Sequence, residues 1–147
     1  MCNECVEPIY VFNIDSWVIT WSTKNHNIVS LSSAEAEYQA MCAATFEAVW
    51  LRRLLLDVGE EQKVATVIKC DNESSIKLAN NPVFLKNTKH INTQFQFVRE
   101  KVQSKEIHIE YCNSCDNAAD IFTKSLGRIK FELFREVLGI CVNPFLH

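Results

Sequence analysis

Val64-Ala65-Thr66-Val67-Ile68-Lys69-Cys70-Asp71-Asn72 changes character partway along. A short apolar run, rich in β-branched residues, reads as a strand and gives way at Asp71-Asn72 to polar residues. A helical pattern follows at once, from Glu73 to Asn80. A strand that hands over to a helix is α/β organisation, and open α/β sheets place their ligand sites at the carboxyl ends of strands. Asp71 sits at such an end. Its structural alternative is an N-cap for the helix that follows.

Upstream, Ile9–Ile14 and Trp17–Ser22 read as two strands, with Asp15-Ser16 as the hairpin turn. Trp17, Ile19 and Trp21 alternate with Val18, Thr20 and Ser22, the period of a strand with one better-buried face. Ser32-x-x-Glu35 forms a capping box, and the helix it opens runs to about Val58, where Gly59 is a natural stop. Capping occupies Glu35. Glu37 lies about 200° further round the helix, available for a site or left as a solvated first-turn acid.

Downstream, the stretch from Lys86 to Lys105 is the most basic of the chain. Lys86, Lys89, Arg99, Lys101 and Lys105 stand against Glu100, with His90 nearby. Ile91, Phe95, Val98 and Val102 recur at helical spacing, which predicts an amphipathic helix with a basic outer face. Ile107–Tyr111 is the last strand. The loop from Asn113 to Asn117 leads to a helical run carrying Asp120, and Phe131–Leu138 is a final helix ended by Gly139.

The chain has 147 residues, 48% of them hydrophobic, which suits one compact domain over residues 9–139 with tails at 1–8 and 140–147. A net charge of -3 argues against a strongly basic nucleic-acid binder, although a local patch is compatible with it. No apolar run reaches membrane-spanning length, and Met1–Pro8 lacks the blocks of a signal peptide, so an intracellular protein, cytoplasmic or nuclear, is expected. Cys2-x-x-Cys5 and Cys112-x-x-Cys115 have zinc-knuckle spacing, but most of the chain separates them and neither sits in a glycine-rich turn. No zinc site is expected. Cys42 and Cys70 read as small hydrophobes, and the odd total of seven argues against a disulfide framework. Glu37, Asp71 and Asp120 remain as acids on a helix, at a strand end and at a helix start, the oxygen donors a hard divalent cation needs.

Seven stretches, in this order, carry a resemblance. They are Leu31-Ser32-Ser33-Ala34-Glu35-Ala36-Glu37-Tyr38, Val49-Trp50-Leu51-Arg52-Arg53-Leu54-Leu55, Cys70-Asp71-Asn72, Asn81-Pro82-Val83-Phe84, Thr88-Lys89-His90-Ile91, Phe97-Val98-Arg99-Glu100-Lys101-Val102 and Ala119-Asp120-Ile121-Phe122-Thr123-Lys124. Together they resemble the ribonuclease H domain of copia-type retrotransposon Pol polyproteins.

The resemblance implies a ribonuclease H-like α/β fold, a mixed sheet flanked by helices. It implies that Glu37, Asp71 and Asp120 are catalytic and bind Mg²⁺ or Mn²⁺. Two such ions about 4 Å apart would hydrolyse the RNA strand of an RNA–DNA hybrid. Lys86, Lys89, His90 and Arg99 would contact the duplex, where charge supplies affinity independent of sequence. The reverse transcriptase portion of the same polyprotein would be a partner. The chain also departs from the family. The first central strand, with its bridging aspartate, has no counterpart, and Asn92, Gln96, Ser125 and Gly127 replace the family's usual residues. Cleavage is therefore expected to be weak or absent, and a non-catalytic nucleic-acid-binding module is the alternative.

Overall fold

The computed structural model of the chain describes residues 9–15, 17–23, 33–80, 89–122 and 124–141. The first strands, β1 (Ile9–Ile14) and β2 (Trp17–Thr23), form an antiparallel hairpin. Its turn places Asp15 at φ 54, a left-handed conformation that aspartate tolerates better than most residues. The register slips between Phe12 and Asn13. The aromatic edge of the alternation in β2 faces outward: Trp17 and Trp21 are exposed, whereas Val18, Thr20 and Ser22 are half-buried.

The long helix α1 (Ser33–Asp57) carries the core. Tyr38, Met41, Cys42, Thr45, Ala48 and Val49 are buried at helical spacing. The Thr45 hydroxyl is satisfied by donating to the Met41 carbonyl at 2.8 Å. Gly59 ends the helix as the sequence predicts. With φ 90 it lets Gly59 N donate to Leu56 O at 3.0 Å and Glu60 N to Leu55 O at 2.8 Å, a Schellman closure. The Ser32–Glu35 capping box lies outside the described residues and side chains.

Strand β3 (Thr66–Cys70) pairs in parallel with β4 (Ile107–Tyr111), in register from Thr66↔Ile107 to Cys70↔Tyr111. Between them run α2 (Glu73–Asn80) and α3 (Lys89–Gln103). Ile68, Cys70, Ile107 and Ile109 point into the core with Phe95 and Val98 of α3, where Tyr38 stacks on Phe95 with ring centroids 3.8 Å apart. Arg52 of α1 donates to Val64 O at 2.7 Å and Thr66 Oγ1 at 3.0 Å, fixing where β3 begins against the helix. After β4 come two short 3-10 helices, Ser114–Asp116 and Ala118–Phe122, and then α4 (Arg128–Val137).

The architecture is thus mixed α/β, with small sheets flanked by helices. Two expectations change. The single mixed sheet is, among the described residues, two separate two-stranded sheets, β1–β2 and β3–β4. The segment bearing Asp120 is a 3-10 turn and not the start of an amphipathic helix, because Asn117 holds it: Ala119 N donates to Asn117 Oδ1 and Asp120 N to Asn117 O. Among the described residues no helix is long and apolar enough to cross a membrane.

Candidate metal centre

Two elements that pack against each other deliver the first two acids. Glu37 is in the second turn of α1, on the flank of its buried face, and Asp71 follows the last residue of β3. Donor atoms of Glu37, Cys70 and Asp71 all lie within 4.8 Å of one another. Asp71 is not the N-cap of α2. That task falls to Asn72, whose Oδ1 accepts from Ser74 N at 3.0 Å and Ser75 N at 3.2 Å. The Asp71 carboxylate is thereby left to face Glu37 instead of the helix.

Asp120 is buried, and its Oδ2 accepts from Lys124 Nζ at 3.0 Å. It lies outside the tight group but within its electrostatic reach. Burial raises the pKa of Glu37 above the ordinary carboxylate value, and the Asp71 charge raises it further. Lys124 opposes the shift, and Asp120 adds to it. The Lys124 ammonium is held above its ordinary pKa first by its bond to Asp120 and then by the charges of Asp120, Asp71 and Glu37. One lysine therefore faces all three acids.

A cluster of half-buried and buried carboxylates that lifts the pKa of one member lacks positive charge. Oxygen donors at this separation suit a hard divalent cation. Glu37 and Asp71 would hold it, and Asp120 would join by releasing Lys124. Cys70 is a donor that its reading as a packing residue missed. Its thiol donates to Asn72 O at 3.8 Å, and burial pushes its pKa up to about 11, so at neutral pH it is a neutral thiol beside the acids. Sequence spacing gave two further signals that went unread: Lys124 four residues after Asp120, and Ser75 three residues after Asn72.

The basic stretch is placed less simply. Lys86 lies outside the described residues. Lys89 and His90 open α3, but their side chains are not described. Arg99 is half-buried, and its charge acts on the buried Tyr38 hydroxyl. Lys101 is tied to Glu106 at 2.7 Å. From Thr93 on, the exposed positions of α3 are Thr93, Gln94, Gln96, Glu100 and Gln103, and the expected basic face rests on Lys89 and His90, which lie before them. The helix's rotation turns Arg99 and Lys101 toward the core boundary.

Homologues of the chain include retrovirus-related Pol polyproteins of copia-type transposons. It is 36% identical over 134 residues, 91% of its length, to the polyprotein from transposon TNT 1-94 of Nicotiana tabacum. It is 34% identical over 135 residues, 92% of its length, to those from transposons RE2 and RE1 of Arabidopsis thaliana. The chain spans 10% of the length of the first and 9% of each of the other two. No protein-family profile matches it. No solved structure matches it either.

Proposed function

We propose that the chain is a ribonuclease H-like unit of retrotransposon origin that binds RNA–DNA hybrids through one divalent cation and cleaves them weakly or not at all. The observation that carries this reading is the convergence of Glu37 and Asp71 within 4.8 Å, from α1 and the end of β3. Asp120 sits close enough to bias their charge state. Bound Mg²⁺ or Mn²⁺ would supply Lewis-acid stabilisation of a phosphate oxygen and activation of water. Glu37 and Asp71 would fix the cation, and Asp120 would turn its carboxylate from Lys124 toward it. Lys89 and His90, with Lys86 before them and the half-buried Arg99 at the edge of the same stretch, would meet the phosphates of the duplex.

Impairment rests on the ligand set. Among the described residues no third carboxylate joins Glu37 and Asp71 in the Glu37–Cys70–Asp71 group. Placing two ions at working distance requires a bridging ligand, and its loss removes several kcal/mol of transition-state stabilisation, each 1.4 kcal/mol being about tenfold in rate. The reverse transcriptase portion of an intact polyprotein is the proposed partner.

The test is a labelled RNA–DNA hybrid with Mg²⁺ or Mn²⁺, scored for binding and for cleavage. Salt-sensitive binding with little cleavage is expected, and Lys89→Ala with Arg99→Ala should weaken binding to all sequences alike. Robust cleavage abolished by Asp71→Asn would mean that the site is complete. No binding at low salt would remove the nucleic-acid reading.

A further inference from the structure

Cys70 brings sulfur to a site whose other donors are oxygens. It is the last residue of β3, only 7% exposed, and it belongs to the core packed around α1. Its thiol donates to Asn72 O at 3.8 Å. That bond uses the proton, and the lone pairs of the sulfur remain for another partner. The sulfur and one carboxylate oxygen each from Glu37 and Asp71 lie within 4.8 Å of one another. Access is open as well, because a cavity of about 440 Å³ between β1 and β3 is lined by all three residues.

Mg²⁺ is a poor match for this donor set. It demands hard oxygen ligands in an octahedral array and keeps several waters, and a thiol offers it little. A thiolate selects the softer divalent ions, among which Zn²⁺ also outranks Mn²⁺ in affinity. A tetrahedral zinc ion, with bonds of about 2.3 Å to sulfur and 2.0–2.2 Å to oxygen, keeps its ligands roughly 3.4–3.6 Å apart. The donors need to close by roughly 1 Å to reach that spacing, within the swing of the Glu37 side chain, the longest of the three. Three protein ligands then leave the fourth position to water. Two carboxylates and a thiolate exceed the charge of the ion by one, and Lys124, bonded to Asp120 and within reach of the Asp71 and Glu37 charges, balances the excess.

We propose that Glu37, Cys70 and Asp71 form a zinc site in which Zn²⁺ bonds the Cys70 sulfur, sends its proton to solvent, and keeps Mg²⁺ or Mn²⁺ off the two carboxylates. Zinc binding stands on the donor geometry alone. The competition rests on the reading of Glu37 and Asp71 as ligands of Mg²⁺ or Mn²⁺. The Cys112-x-x-Cys115 spacing plays no part in this site, and Cys115 is exposed.

The experiment titrates the full, reduced, metal-free chain with Zn²⁺ against a chromophoric chelator and, separately, with Co²⁺. One Zn²⁺ per chain is expected. Co²⁺ should give a near-ultraviolet sulfur-to-metal charge-transfer band and the intense visible bands of a four-coordinate ion. Cys70→Ser should abolish the charge-transfer band and weaken Zn²⁺ binding at least about tenfold, the least that even a hydrogen-bond partner of a ligand is worth. Asp71→Asn should weaken Zn²⁺ too, and Cys115→Ser should change neither readout. A Co²⁺ spectrum of the unaltered chain without charge transfer overturns the proposal, as does Zn²⁺ affinity indifferent to both Cys70→Ser and Asp71→Asn. Loss of zinc in Cys115→Ser also overturns it, since the ion then sits on the Cys112-x-x-Cys115 pair. Competition is read by the electron paramagnetic resonance of free Mn²⁺, which one equivalent of Zn²⁺ should release from the chain. Zinc bound through Cys70 without that release would refute the competition, and with it the placing of Mn²⁺ on Glu37 and Asp71, while the zinc site stood.

Discussion

Asp71→Asn probes the charge balance of the candidate site directly. Oxygens of Glu37 and Asp71 come within 4.8 Å. At that distance and an effective dielectric of about 20, two full charges repel by about 3.5 kcal/mol. Both groups are half-buried, Lys124 offsets part of the field, and Glu37 takes up a proton readily. The gain from neutralising Asp71 in metal-free protein therefore shrinks to about 1 kcal/mol once solvent screening is included. In a chain of this size that raises Tm by roughly 3 °C. A divalent cation acts in the opposite sense: at a hundred times its Kd it stabilises a protein that binds it by about 2.7 kcal/mol. Asp71→Asn loses a ligand and with it that increment. Thermal melts of both proteins in EDTA and in Mn²⁺ should cross, the variant melting higher without metal and lower with it. A variant that melts lower in EDTA, or that keeps the full response to Mn²⁺, would refute the reasoning.

Glu37 makes the fold sensitive to pH. Its folded pKa is raised above the ordinary 4.5, so between those two values the folded chain binds more protons than the unfolded one. Stability accordingly falls as pH rises through that window and is regained as pH falls, and Glu37→Gln should flatten this slope in urea titrations at a series of pH values. Lys124→Ala leaves Asp120, with only 10% of its side chain exposed, without its cation. It should cost about 1–2 kcal/mol, since the lysine end of the pair is well solvated, yet tighten Mn²⁺ binding by calorimetry because a competing charge is gone. Lys105 sits at φ 59 in the closure that ends α3, where Lys105 N donates to Val102 O and Glu106 N to Lys101 O. Lys105→Gly relieves left-handed strain and should raise stability by about 1 kcal/mol in chemical denaturation, and a loss of stability there would contradict the assigned closure.

Elements with a strong local signal were legible in the sequence. Glu73–Asn80 and Ile107–Tyr111 have the bounds that periodicity predicts: Asn72 caps the start of the first, and buried and exposed residues alternate along the second. Asp120 was legible as an acid but not in its setting. Its 3-10 turn depends on bonds from the Asn117 side chain and backbone, which periodicity does not weigh. The separation of the sheets was legible in part, since the sequence reading found no counterpart of a first central strand to join them. Strand pairing is a long-range choice, and β1 reads as a strand whether its second edge meets β3 or a cavity. The basic stretch is only partly described, since Lys89 and His90 precede the described side chains, while packing of Phe95 and Val98 leaves Arg99 and Lys101 half-buried.

The acids are held with unequal firmness, which bears on how a cation would be bound there. Glu37 rides on a helix whose neighbouring turn is locked by Tyr38, Met41 and Cys42. Asp71 is fixed from one side by β4, where Cys112 N donates to Cys70 O at 2.9 Å, and from beyond by the Asn72 cap. Arg52 anchors the start of the same strand to the same helix. Asp120 has only a 3-10 turn and a half-solvated lysine. A cation would therefore meet a pair of pre-placed ligands and one that must exchange partners. The free energy of that exchange, not the geometry of Glu37 and Asp71, should set metal affinity. Affinity should then respond more to Lys124 than to substitutions in the core of α1.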